Sequence, residues 1–481
     1  MIGNQLKKTP IKIVGGTNFA RYPKITNEQT VNMMVTTSND ISTLVDNSGY
    51  CLDIEFPEGQ PRGQYVSTRL GQMMIVIGNN VYLINSNLGH RIIGTIETFD
   101  GPVYIAENLA SEIALVDGTA FYVYNYAANT FTTMIIPTTT PSYISFLDTY
   151  FIITDANNNK WQISGNNNTT FDPLMVAYLQ TAADNIQAVV PLNRTLWVMG
   201  KRVSELWNDN PTGSNAISMG APVSFPFQRN NSLSIDYGVL SIETICSDFQ
   251  MLVWLAYNAA AGPTVVYTTG GKPEDLSTDG LDYVLKNVIN FPQRSTATLR
   301  QENGHIIYQL TFWDPSDNLS IQYDFSSKLW TNCTDENQNF HIMKKTVFFD
   351  GQQYFINFDE KKPGLYLLSP LITTYNGHVI PRIRICPPIR YNDQTFVCKN
   401  IELQMEQGEN SNIRYIDMSI SKDGGERFGN EYRYTMLPAG YRKGQVNIGW
   451  NLGLANDLRV KFLFLSAGRF VVQGATASIL V

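Results

Sequence analysis

A unit of alternating apolar residues broken by tight turns recurs along this 481-residue chain, and it leaves few folds open. Its clearest copy is residues 304–330, GHIIYQLTFWDPSDNLSIQYDFSSKLW. Ile306, Tyr308, Leu310 and Phe312 keep a period of two, WDPSDN supplies Pro, Asp and Asn for a reversal, and Leu319, Ile321 and Tyr323 resume the alternation. FSSK turns the chain again before Leu329 and Trp330. Three short strands in a row cannot bury their apolar face alone, so neighbours of the same kind must stack against them.

Six more stretches supply those neighbours: MMIVIGNNVYLIN near 73, EIALVDGTAFYVYN near 112, YISFLDTYFIITDANNNKWQIS near 143, AVVPLNRTLWVMGKRVSELW near 188, SIETICSDFQMLVWLAYNAAAGPTVVYTTG near 241 and VFFDGQQYFINFDEKKPGLYLLS near 347. Their turns, at Gly78, Asp117, Asp148, Asn193, Phe249, Asn303 and Asp350, lie 31 to 56 residues apart, around the length of one four-stranded blade with variable loops. The third strand of each unit carries an aromatic: VYLI, FYVY, KWQI, SELW, VVYT, IQYD and LYLL. Count and spacing predict a β-propeller of six to eight irregular blades over residues 61–370. A stacked sandwich shares the alternation but not the count.

The chain is therefore read as all-β, with two additions to the propeller. Residues 1–60 hold one strand, over 30–36, among Pro and Gly, and read as an extended arm or closing strand. After Pro370 the strands lengthen, as in 379–385, 397–404, 415–420 and 458–465, which predicts a separate β-sandwich-like module over 371–481. The spacing of Leu281, Val284, Leu285 and Val288 predicts one short helix over 280–288.

Charge divides the same way. Residues 371–481 hold 13 Lys and Arg against nine Asp and Glu, a net of +4, which leaves −11 on the first 370. An overall charge of −7 disfavours a protein that grips nucleic acid over a broad basic face. With only 16% charged residues, the polar surface rests on Asn, Thr, Ser and Gln, which suits wide contacts between subunits.

Signatures of catalysis are missing from the sequence. Cys51, Cys246, Cys333, Cys386 and Cys398 form no C-x-x-C pair, and His90, His305, His341 and His378 stand apart from one another, so no metal and no cofactor is expected. There is no phosphate-binding glycine loop, no G-x-S-x-G and no H-E-x-x-H, and the acidic pairs Glu274-Asp275, Asp335-Glu336 and Asp359-Glu360 sit in turn-like contexts. One motif stands out: Ser421, Asp423, Gly425 and Phe428 in SKDGGERF match an Asp box, a structural turn in which Asp accepts backbone N–H groups and the aromatic packs back on the hairpin. No apolar run reaches membrane-spanning length. Without a signal peptide, assembly in a reducing host cytoplasm is expected.

Several stretches resemble the packaged-DNA stabilisation proteins, the tail-hub or nozzle proteins of short-tailed bacteriophages. They are SELW at 204–207, FPFQR at 225–229, Gly238, VVYTTGGKPEDLST at 265–278, the unit at 304–330, NGHVIPRIRICPP at 376–388, IELQMEQG at 401–408 and the SKDGGERF turn. The resemblance implies a non-enzymatic virion protein that forms a homo-oligomeric ring of six copies below the portal. Such a ring would extend the DNA channel, contact portal or adaptor and tail needle or spike proteins, and retain packaged double-stranded DNA without sequence-specific binding. An alternative is a propeller-based tail adhesin or carbohydrate-binding protein, marked by aromatics beside carboxylates at one propeller mouth. For a conduit, the DNA-facing surface is expected to be neutral or acidic, with Arg382, Arg384, Arg442 and Arg459 serving folding or subunit contacts.

Overall fold

The computed structural model describes all residues except 1–5, 23–26, 138, 210–224, 393, 409–412, 439 and 441–443. Seven sheets follow one another along the chain, at 61–95, 104–134, 141–178, 186–229, 238–275, 295–332 and 343–369. Their innermost strands are Pro61–Ser67, Tyr104–Glu107, Pro141–Leu147, Ile186–Leu192, Cys246–Asp248, Ser295–Glu302 and Met343–Phe349. Each lies against the next, and the last lies against the first, so the sheets close a ring of seven blades. Alternation explains the packing: each blade buries both faces, and apolar clusters fill the gaps between neighbours, such as Met74, Leu83, Ile113 and Leu115 between blades 1 and 2.

The seven turns predicted from the sequence mark the seven blades, but not at one structural position. Asp148, Asn193, Phe249, Asn303 and Asp350 join the first and second strands of blades 3 to 7, whereas Gly78 and Asp117 join the second and third strands of blades 1 and 2. A hairpin of alternating residues reads alike wherever it sits in a blade, which accounts for the irregular spacing. The paired positive φ values at Asn303 and Gly304 (50° and 85°) and at Asp350 and Gly351 (48° and 78°) are those of two-residue hairpin turns. The aromatic-bearing segments are third strands in all seven blades. The helix spans Asp279–Asn287, capped by Thr278, whose hydroxyl accepts from the Leu281 amide.

The first sixty residues, read from the sequence as an arm or closing strand, divide between the two bodies. Strand Gly49–Glu55 is the outer strand of blade 7, paired with Gly364–Ser369, and thereby ties the chain's beginning to the end of the propeller. Strands Leu6–Ile11, Met33–Ser38 and Ile41–Asp46 instead join a sheet with Phe396–Met405 and Val471–Leu480. Strand Gln29–Val31 lies between the outer strand of blade 6 and Arg382–Ile385, so one nine-stranded sheet runs from blade 6 into the second body. Those two sheets enclose a core of Ile401, Leu403, Ile416, Met418, Phe462 and Phe464. The C-terminal sandwich is thus completed by N-terminal strands. Residues 1–48 carry five Lys and Arg against three Asp and Glu, so the sandwich with these strands holds net +6 and residues 49–370 hold −13.

Candidate functional site

The innermost strands of the seven blades surround the propeller axis, and their side chains link neighbouring blades there. The rings of Tyr104 in blade 2 and Tyr143 in blade 3 lie 4.5 Å apart. Burial pushes the Tyr104 hydroxyl far above the ordinary phenol range, with nearby Glu243 and Tyr143 adding to the shift. Lys345 Nζ of blade 7 donates to the Glu243 carbonyl at 3.4 Å, and Lys344 Nζ donates to the Pro61 carbonyl of blade 1 at 2.7 Å. Thr296 Oγ1 of blade 6 donates to the same Glu243 carbonyl at 3.3 Å.

Basic residues of the second body are engaged within the chain. Arg382 and Arg384 are both fully buried. Arg382 donates to the Ser466 carbonyl at 2.8 Å and to Asp46 at 3.3 Å, while Arg384 donates to the Gly16 carbonyl at 2.9 Å, Thr30 Oγ1 at 3.0 Å and Glu28 at 3.3 Å. Arg459 is also fully buried and lies 3.8 Å from Asp457. Arg390 pairs with Asp457 at 2.7 Å, Arg433 with Asp417 at 2.6 Å and Arg469 with Glu406 at 3.3 Å. Arg442 lies outside the described residues. Two of the partners, Glu28 and Asp46, come from the N-terminal segment, a pairing that no local sequence signal announces.

The SKDGGERF turn is held by its own side chains. Asp423 Oδ1 accepts the Glu426 and Arg427 amides, each at 3.1 Å, and Ser421 Oγ accepts the Gly425 amide at 2.9 Å. Hydrogen bonds from the Ser421 hydroxyl and the Arg427 amide hold the Asp423 carboxyl below its usual range. Gly425 takes a φ of 86°, and a Cβ there would meet the Arg459 side chain at 3.3 Å. Phe428 packs against the cluster of Val31, Ile383 and Ile385, which fastens the turn to the sheet shared with blade 6.

The family-like SELW and FPFQR stretches meet at one interface. Trp161 of blade 3 lies edge-on to Trp207 and Phe225, both at 5.3 Å. Glu205, 3% exposed, accepts from the Gln180 amide at 2.8 Å, the Thr181 amide at 2.6 Å and the Trp207 indole at 3.1 Å. Burial raises the Glu205 carboxyl, but these bonds together bring it below its usual range. Such a carboxylate is an anchor, consumed by its own donors. The five cysteines are free, and burial pushes Cys246 and Cys333 up to about 12 and Cys386 and Cys398 up to about 11, so those four are inert thiols. Among the described residues, no three or more His, Cys, Asp or Glu gather as a metal site, and no helix is long and apolar enough to cross a membrane.

Comparison with solved structures finds chains of low similarity. A streptogramin B lyase is 13% identical, with 66% of this chain and 96% of that chain covered and a TM-score of 0.43. A selenomethionine-substituted virginiamycin B lyase from Staphylococcus aureus is 12% identical, with 66% and 99% covered and a TM-score of 0.45. The N-terminal domain of Nup159 is 11% identical, with 74% and 100% covered and a TM-score of 0.40. These likenesses are too low to bear on function. No curated protein matches the chain. A family model does, over residues 9–368, which takes in the N-terminal strands and all seven blades; this chain therefore belongs to the phage stabilisation family described as Bacteriophage P22 Gp10, beta-propeller.

Proposed function

We propose that the chain is the subunit of a ring-shaped tail hub or nozzle, six copies below the portal, that extends the DNA channel and retains packaged DNA before ejection. The observation that carries this reading is the match to the phage stabilisation family over residues 9–368, which takes in all seven blades. A closed ring follows from head-to-tail contacts. Exposed apolar side chains support such contacts, among them Ile135, Leu174, Leu371 and Trp450, each at least three-quarters exposed. The ring acts without catalysis, is assembled in the host cytoplasm, and sits in the virion tail against portal or adaptor and needle or spike proteins.

Retention in this reading is steric. Phosphates bind Lys and Arg by releasing counterions, so a strongly basic bore would hold the genome as it leaves. Ion pairs within the chain engage Arg382, Arg384, Arg390 and Arg433 of the second body. Native mass spectrometry and negative-stain imaging are expected to show a cyclic oligomer, alone or with the neighbouring virion proteins. A strict monomer under both conditions would sink the proposal. Free protein is expected to bind duplex DNA poorly at physiological salt, and tight, salt-sensitive binding would reverse the steric assignment.

A further inference from the structure

Between blades 6 and 7 a cleft of about 550 Å³ opens on one face of the propeller. Strand alternation puts three connections on that face: the turn holding Pro315 and Asn318, the loop from Asp335 to Phe340, and the turn holding Asn357 to Asp359. A hairpin at 374–379, which leads toward the sandwich, forms the remaining wall with Asn376 and His378. The cleft size lies within the ~300–1,000 Å³ range of small-ligand sites.

The lining is mixed in a specific way. Asp335, Glu336 and Asp359 face it without a single Lys or Arg. Asp335 Oδ1 accepts the Asn337 and Asn339 amides at 2.9 and 2.7 Å and its Oδ2 accepts the Asn339 side chain at 3.4 Å, whereas Asp359 is held by Oδ1 alone, which accepts the Lys361 and Lys362 amides at 2.8 and 3.1 Å. Glu336 receives only the Asn337 side chain, at 3.4 Å. Phe340 and Phe358 stand edge to face at 5.4 Å. At the floor, Tyr50 and Tyr375 stack at 4.5 Å. Tyr375 is 1% exposed, and its hydroxyl has no hydrogen-bond partner. Burial raises the Tyr50 hydroxyl, with Tyr375, Glu336 and Asp335 adding to the shift, so it stays a donor beside the carboxylates.

A bound cation would need acceptors alone. Here buried phenol donors and side-chain amides that both donate and accept stand beside carboxylate acceptors and flat apolar rings. Sugars present that complement: neighbouring hydroxyls that donate as a pair to a carboxylate and accept from phenols, and a C–H face that lies on an aromatic ring. We propose that this cleft binds a short saccharide of one or two rings, with Glu336 and the free oxygen of Asp359 accepting from its hydroxyls and Phe358 covering its apolar face. It is the arrangement of aromatics beside carboxylates at a propeller mouth that a carbohydrate-binding propeller requires. The site belongs to one copy and does not depend on the ring.

The test uses the full chain on an array of bacterial surface oligosaccharides, followed by calorimetric titration of the strongest hit. Binding is expected to weaken at least about tenfold in Glu336→Gln, the size of one lost charge-assisted hydrogen bond, with an unchanged melting temperature. Phe358→Ala is expected to weaken it as well, and Asp172→Asn, an exposed residue of blade 3 outside the cleft lining, is expected to leave it unchanged. Absence of any array hit, or a hit unaffected by Glu336→Gln, would overturn the proposal. Binding of an oligolysine peptide in place of sugars, lost in Glu336→Gln, would overturn it too and make the cleft a cation site. Oligomeric state is measured separately, so failure here leaves the ring reading standing.

Discussion

His341 shows how one side chain ties stability to pH. It is 4% exposed, its Nδ1 accepts the Met343 amide at 3.2 Å, and its ring packs edge-on against Tyr50 and Tyr375. Burial, reinforced by the Arg300 guanidinium, pushes its imidazole down to about 3. The unfolded chain takes up a proton near pH 6.5 that the folded chain refuses until about pH 3, so stability is full above pH 6.5 and falls as pH drops through that window. The slope is up to ~1.4 kcal/mol per pH unit. His341→Gln is expected to flatten the dependence between pH 6 and pH 4.5, as read by denaturant unfolding; an unchanged slope would place the effect elsewhere. Asp423 acts more locally. Asp423→Ala leaves the Glu426 and Arg427 amides without their acceptor, and a modestly lower melting temperature is expected, checked by calorimetry, with oligomeric state preserved.

Elements are joined here by buried polar groups where apolar packing thins out. Arg300 of blade 6, 3% exposed, donates to Gln309 at 3.0 Å and to Glu302 at 3.3 Å. Glu302 in turn accepts the Ser48 amide at 2.6 Å, and Gln322 donates to Asn47 at 3.2 Å. The chain entering the closing strand is thus held by blade 6, while the preceding Asp46 is held by Arg382 of the sandwich. Arg384→Ala is expected to cost ~3–5 kcal/mol, because Glu28 and the Lys12, Gly16 and Gln29 carbonyls lose a buried partner. Chemical denaturation of the variant measures this; a loss below ~1 kcal/mol would mean that water replaces the guanidinium. Gly280 shows the same dependence on close approach, since a Cβ there would lie 1.7 Å from the Phe19 carbonyl oxygen, where the N-terminal segment crosses the helix.

At the scale of the whole molecule, the two bodies share a sheet and exchange strands, so neither is complete alone. Deleting residues 1–48 removes Leu6–Ile11, Met33–Ser38 and Ile41–Asp46 from one sandwich sheet and Gln29–Val31 from the shared one. That deletion is expected to unfold the sandwich while the seven blades survive. Limited proteolysis would then trim the chain back toward residue 370, and a sandwich resistant to protease would show that its C-terminal strands suffice. Charge follows the same division, with a propeller segment at −13 joined to a sandwich at +6 whose arginines are largely paired.

Local alternation determined by itself that the chain is all-β, that it holds seven hairpin-bearing units, that the third strand of each carries an aromatic, and that one short helix follows Thr278. Those features depend on residues two to four positions apart, which a sequence displays directly. Which hairpin of a blade each turn closes was not legible, because register within a meander is fixed by packing against the next blade. Neither was the fate of the first sixty residues, whose partners lie some 300 to 470 positions away, as in Leu6 opposite Leu480 and Gly49 opposite Ser369. The cleft between blades 6 and 7 belongs to the same class: Tyr50, Asp335, Phe358 and Tyr375 are scattered along the sequence, and only closure of the ring by the strand Gly49–Glu55 brings them to one wall.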